Sequence, residues 1–209
     1  MILWRPIAIL AMLLPALAAC AGAKPRSTRA SIAPYALSGP VCMQALAQRG
    51  IVVQPWGGGS PGCPVDTPVS AAAGAMSRFD PALQTSCAML VAWSEFEAAV
   101  DRAARDHLRS RVVAIRHFGS FACRRMTGNA GRLSLHARAR ALDVAGFVLA
   151  DGRVVMVAAG WRGPRDQQRF LRAVAVAACR HFSVTLTPDS DRLHRDHLHV
   201  DIGPWRQCG

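Results

Sequence analysis

Beyond its first twenty residues the chain carries six cysteines: Cys42, Cys63, Cys87, Cys123, Cys179 and Cys208. None belongs to a CxxC pair, which removes zinc-ribbon and thioredoxin-type motifs. An even number of cysteines in a chain that leaves the cytoplasm reads as three disulfides, with the pairing left open by sequence alone. The expected fold is therefore braced covalently, and a metal site in it must do without sulfur.

The first twenty residues supply the premise of export. Arg5 precedes an apolar run from Ile7 to Ala19, broken only by Pro15. The run is shorter than the about 20 apolar residues a membrane span needs, and has the layout of a signal peptide. It ends in Leu17-Ala18-Ala19-Cys20, which resembles the lipobox of bacterial lipoproteins. In that reading residues 1–19 are removed and Cys20 carries a lipid, leaving the protein periplasmic and anchored to a bacterial membrane. An ordinary signal peptide cut a few residues later is the competing reading, and it predicts export equally.

The formal net charge is +12, and Lys24 is the only lysine, so the excess is arginine. Such a charge suggests a nucleic-acid partner. Export, disulfides and the lack of a basic run interleaved with aromatics argue against one, and an anionic envelope partner suits the charge as well. Residues 20–40, rich in Ala, Ser, Pro and Arg, read as a flexible tether. Residues 41–80, with Gly57-Gly58-Gly59 and four prolines, read as a loop-rich appendage. Residues 81–209 then form the main domain, expected to be a monomer.

Within it, Leu83 to Leu108 has apolar residues at helical spacing. Arg111 to Phe118 reads as a strand, and Ala141 to Ala158 as a hairpin about Asp151-Gly152. Pro164 opens a second helix running to about Phe182, and His197 to Ile202 is a last strand. Elements in this order predict an α+β domain, an antiparallel sheet flanked by helices. Trp56, Trp93, Trp161 and Trp205 read as core or rim packing.

Two segments carry candidate chemistry. In the last strand His197, His199 and Asp201 alternate with Leu198, Val200 and Ile202, so two imidazoles and a carboxylate share a face. Upstream, Ala139, Ala141, Asp143 and Ala145 make a face that is small except for the aspartate. His136, seven residues before Asp143, must reach that face from a bend. A buried Asp143 satisfied by Arg138 or Arg140 is the competing account. Two imidazoles and one carboxylate fill three positions of a zinc tetrahedron, and a water in the fourth has its pKa lowered to about 7. Asp196 is the candidate base for that water, and Asp201 its rival.

The segments Ser134-x-His136-x-x-Ala139-x-Ala141-x-Asp143 and Asp196-His197-x-His199 resemble the signature of the D-alanyl-D-alanine carboxypeptidase-like zinc peptidases, the M15 group. More closely, the region from about Cys42 to Cys208, including Gly119 to Arg124 and Pro188, resembles the bacterial extensin-like C-terminal family. The resemblance implies an M15 or hedgehog-like architecture with His136, Asp143 and His199 as zinc ligands. It implies Asp196 as general base and His197 as stabiliser of the tetrahedral intermediate. Arg124, or its neighbour Arg125, would bind a substrate carboxylate, and the disulfides would be Cys42–Cys63, Cys87–Cys123 and Cys179–Cys208. The activity implied is cleavage of amide bonds in peptidoglycan peptides; the alternative is a non-catalytic, zinc-containing wall-binding lipoprotein. Ala139 stands where the motif has glycine, Arg140 where a smaller residue is usual, and Leu135 at a position often acidic.

Overall fold

The structure is a computed structural model that describes Met1 and residues 37–209. The expected signal peptide, the lipidation site Cys20 and most of the 20–40 tether lie outside the described residues. Among the described residues the α-helices are α1 (Gly39–Ala47), α2 (Cys87–Leu108), α3 (Val157–Gly160) and α4 (Arg165–His181). Nine strands form one sheet: β1 (Gln54–Pro55), β2 (Pro68–Ala73), β3 (Arg78–Ser86), β4 (Val112–Gly119), β5 (Ala141–Leu149), β6 (Val154–Met156), β7 (Val184–Leu186), β8 (Leu198–Asp201) and β9 (Gln207–Cys208). Their order is β1-β2-β3-β4-β5-β8-β7-β9, with β6 also paired to β5. The domain is α+β, with a large sheet flanked by helices.

The sheet is mixed and not wholly antiparallel as expected. β3 runs parallel to β4, and β7 parallel to β9. The first of these follows from α2, which lies between β3 and β4 and carries the chain back to the starting end, as a parallel connection requires. β5 is central: β4 covers one edge, while β8 and β6 share the other end to end.

No boundary falls near residue 80. Residues 41–80, expected as a loop-rich appendage, contribute β1, β2 and the start of β3 to the main sheet. The expected helix from Leu83 begins only at Cys87, because Phe79, Leu83 and Thr85 alternate into the core as a strand. Ser86 then caps α2, its hydroxyl accepting from the Met89 N–H. The hairpin's second strand ends at Met156, where α3 begins, and Pro164 serves as N-cap of α4.

α2 and α4 pack together, and their large side chains fill the core. Trp93, Phe96 and Phe170 are fully buried, with Phe96 against Phe182 and Phe147 against Phe170. Each such burial contributes about 1.5–3 kcal/mol. The buried Glu97 carboxylate accepts from the N–H groups of Ala75, Met76 and Ser77 and from the Ser77 hydroxyl, fastening the β2–β3 turn onto α2.

The disulfides are Cys42–Cys87, Cys63–Cys123 and Cys179–Cys208. The expected pairs Cys42–Cys63 and Cys87–Cys123 are thus exchanged. α1 packs on α2 and brings Cys42 to the first residue of that helix, both fully buried. Cys63 instead lies in a small ribbon, Gly59–Ser60 with Cys63–Pro64, that packs on the 3₁₀ turn Leu135–Arg138.

Two bulges position the site. Arg116 pairs with Gly146 but His117 with Val144, so Ala145 is an extra residue in β5. Gly119 then pairs with Asp143, so Phe118 is an extra residue in β4. The first bulge lets Leu142 and Val144 share the core with Phe147 and Leu149, all buried, while Asp143 faces the other way. Bulges near functional sites re-aim side chains in this manner.

Candidate metal centre

The 3₁₀ turn Leu135–Arg138 is the bend that carries His136 to Asp143. The Ser134 hydroxyl starts it by accepting from the His136 N–H. Ala139 ends it in the left-handed region at φ +49°, a conformation that favours glycine. An alanine there carries a strain of about 1–2 kcal/mol. The Ala139 carbonyl accepts from the Ser86 N–H, the Ser86 hydroxyl and the Thr85 hydroxyl, which hold it in place. Ala139 therefore precedes β5 and does not lie on its face as the alternation suggested.

Asp143 and His199 face each other directly across the β5–β8 ladder. His199 Nδ1 lies 2.9 Å from Asp143 Oδ1, His136 Nε2 lies 3.3 Å from the same oxygen, and the two nitrogens are 3.2 Å apart. An ion about 2.1 Å from each atom in tetrahedral geometry sets them about 3.4 Å apart, so this triangle is slightly smaller than one tetrahedral face and opens to it by a few tenths of an ångström. The three residues are the one group with such spacing among the described residues.

The surrounding hydrogen bonds aim the lone pairs inward. His136 Nδ1–H donates to the Ser120 carbonyl at 3.0 Å, which turns Nε2 toward Asp143 Oδ1, where it can ligate once it carries no proton. Asp201 Oδ2 stands 3.5 Å from His199 Nε2, and its Oδ1 accepts from the Gly203 N–H. Asp201 is buried on the far side of His199 from Asp143. Burial opposes ionisation of Asp143 and of His199, but their mutual hydrogen bonds dominate. The bond from His136 and that from His199 hold Asp143 well below the usual carboxylate range. The bonds to Asp143 and Asp201 push His199 up to about 9.

Asp196 and His197 precede β8 in a turn. Asp196 Oδ1 accepts from His197 Nδ1 at 2.9 Å, and His197 Nε2 lies 3.5 Å from Asp143 Oδ1. His197 thus touches Asp196 with one nitrogen and faces Asp143 with the other. The bond from His197 holds the Asp196 carboxyl below its ordinary range. Arg124 is exposed, and its main-chain carbonyl accepts from Ser134 N–H, two residues before His136. Among the described residues its guanidinium makes no ion pair, nor does that of Arg125.

Sequence reasoning gave His194 no role. Its Nδ1 is 2.8 Å from Asp191, and its ring lies 5.2 Å from His197 and 5.6 Å from His199. The spacing HxxHxH over residues 194–199 is the sequence signal that marks it. The part of Ser120 had no signal, since it rests on a backbone carbonyl. Of the tryptophans, Trp93 and Trp161 are core, while Trp205 is half-exposed beneath the Arg132 guanidinium.

A family model described as extensin-like protein C-terminus matches residues 40–209. The chain belongs to this family. The match takes in every element of the sheet, and so the whole constellation around Asp143 lies within the extensin-like domain. No curated protein and no solved structure matches the chain.

Proposed function

We propose that this extensin-like protein is a cell-envelope zinc hydrolase that cleaves amide bonds in peptidoglycan peptides, as a D,D-carboxypeptidase or endopeptidase. The observation that carries the reading is the triangle of His136 Nε2, Asp143 Oδ1 and His199 Nδ1 with the Asp196–His197 pair set against it. Its resemblance to the M15 signature supports the same roles and a related architecture. These three residues would hold zinc, which would supply a Lewis acid and lower the pKa of a bound water to about 7.

The chain's own groups do the rest. Asp196 gives one oxygen to His197, and its other oxygen takes the proton of the attacking water. His197, held by Asp196 with its second nitrogen toward Asp143, donates to the oxygen on which negative charge develops. Ser120 and Asp201 fix the two ligand rings. Arg124 offers a guanidinium to a terminal carboxylate, which the arginine-rich surface also favours. The lipid anchor on Cys20 would keep the activity at the membrane facing the wall.

Two consequences follow for the metal. Asp201→Asn is expected to weaken zinc binding about 10–100-fold, read by competition with a chromogenic chelator. Without metal, a His199 pKa raised to about 9 adds stability that is fully present below pH ~6.5 and lost as pH rises through about 9. To ligate zinc at pH 7, His199 Nδ1 would have to give up that proton. Calorimetry in buffers of different ionisation enthalpy is expected to show release of close to one proton. No release would place the metal elsewhere.

The function is tested by incubating the zinc-loaded, oxidised protein with muropeptides and following the products by mass spectrometry. Chelator-sensitive shortening of the stem or opening of the cross-link is expected. Binding of muropeptides without any cleavage would favour the wall-binding lipoprotein reading.

A further inference from the structure

The β3–β4 ladder opens beside the centre. The two strands pair only over Arg78–Asp80 and Ala114–Arg116. Beyond that, β3 pairs with β2 alone and β4 with β5 alone. The gap is closed at one end by His117 Nε2–H donating to the Pro81 carbonyl at 2.8 Å. At the other, the hydroxyls of Thr85 and Ser120 meet at 2.7 Å. Four residue steps on β3 and three on β4, at the rise of a strand, make an opening about 10–13 Å long. Because both ends are closed, no strand can thread through it, but a single side chain can enter.

The cavity there has a volume of about 210 Å³, lined by Pro81, Gln84, His117, Phe118, Gly119 and Phe121 among others. An apolar cavity of about 150 Å³ holds benzene, so a side chain somewhat larger than a phenyl ring fits. Its walls adjoin the centre at three points. Gly119 pairs with Asp143, Ser120 accepts from His136, and the Phe118 ring lies 5.6 Å from that of His197. Phe118 is the bulged residue of β4 and is 61% exposed, an unusual position for a large apolar ring. The lining carries no formal charge: burial lowers the pKa of His117 and keeps it neutral. The Gln84 amide supplies both a donor and an acceptor.

We infer that this gap is the specificity pocket of the centre, receiving one uncharged side chain from the substrate residue next to the hydrolysed amide, with Phe118 as outer wall and Gln84 as polar contact. The inference rests on the hydrolase reading above and adds the side-chain class that the site accepts.

The test uses the zinc-loaded full chain and peptide amides that differ only in the residue flanking the cut bond: Gly, Gln, Glu and Lys. Gln is expected to exceed Glu and Lys in kcat/KM by about tenfold or more, since a charge there is desolvated unpaired. Ala82→Phe, which fills the gap, is expected to shift the Gln-to-Gly ratio by about tenfold or more with zinc content unchanged. Equal use of Gln and Glu, or an unshifted ratio, overturns the pocket while leaving the hydrolase standing. If no peptide is cleaved, the same peptides are titrated by NMR. Preferential binding of the Gln peptide, lost in Ala82→Phe, supports the pocket and removes hydrolysis, whereas absence of binding overturns both.

Discussion

Asp196→Ala is expected to lower kcat on a peptidoglycan peptide by about two to four orders of magnitude while the protein keeps its zinc. None of the three candidate ligand atoms belongs to Asp196, so its loss leaves the triangle of His136, Asp143 and His199 intact. Two things are lost instead: the oxygen that takes the proton, and the anchor of His197 Nδ1. His197→Ala is expected to cost about 10²–10³ in kcat for a different reason, since it removes only a donor to the developing charge. Because the two side chains touch, the double variant should fall well short of the product of the single losses. Parallel measurements of metal content and kcat separate these outcomes from simple unfolding. An Asp196→Ala protein that is metal-loaded and as fast as wild type would remove Asp196 from the reaction.

The second large effect concerns stability. The Cys42–Cys87 disulfide closes a loop with a sequence separation of 45 residues. The chain-entropy model gives such a closure about 4 kcal/mol. Both sulfurs are fully buried between α1 and α2, so the paired alanine variant also loses packing around them. The Cys42→Ala/Cys87→Ala protein is therefore expected to lose about 4 kcal/mol in urea unfolding, or roughly 10–15 °C in Tm. α1 should become the first element to exchange its amide protons. A loss below about 1 kcal/mol would mean that α1 is held by packing alone.

What was legible in the sequence was local periodicity and the chemistry of a few side chains. The alternation of Leu198 and Val200 with His199 and Asp201 placed β8, and the seven-residue offset between His136 and Asp143 required the bend now seen as a 3₁₀ turn. Long-range facts were not legible. Disulfide pairing depends on α1 packing against α2, which no spacing encodes, and the resemblance that implies other partners for Cys42 and Cys87 does not carry that contact. The last four residues of β3 read as helix because Leu83 falls in phase with the α2 stripe, although Ser86 marks the true start. Residues 41–80 looked like loops because glycine and proline dominate them, yet β2 pairs along most of β3. The two bulges, at Ala145 and Phe118, shift register by single residues and have no compositional mark. They decide which way Asp143 points and what stands beside it.

The most direct measurement is the metal content of the purified, oxidised protein, compared with His136→Ala and His199→Ala. The account predicts close to one zinc per chain in the wild type, with each variant losing it while unfolding no more readily than the metal-free wild type. A wild-type protein that takes up no zinc when supplied with it, or variants that hold zinc as tightly as wild type, would contradict the account.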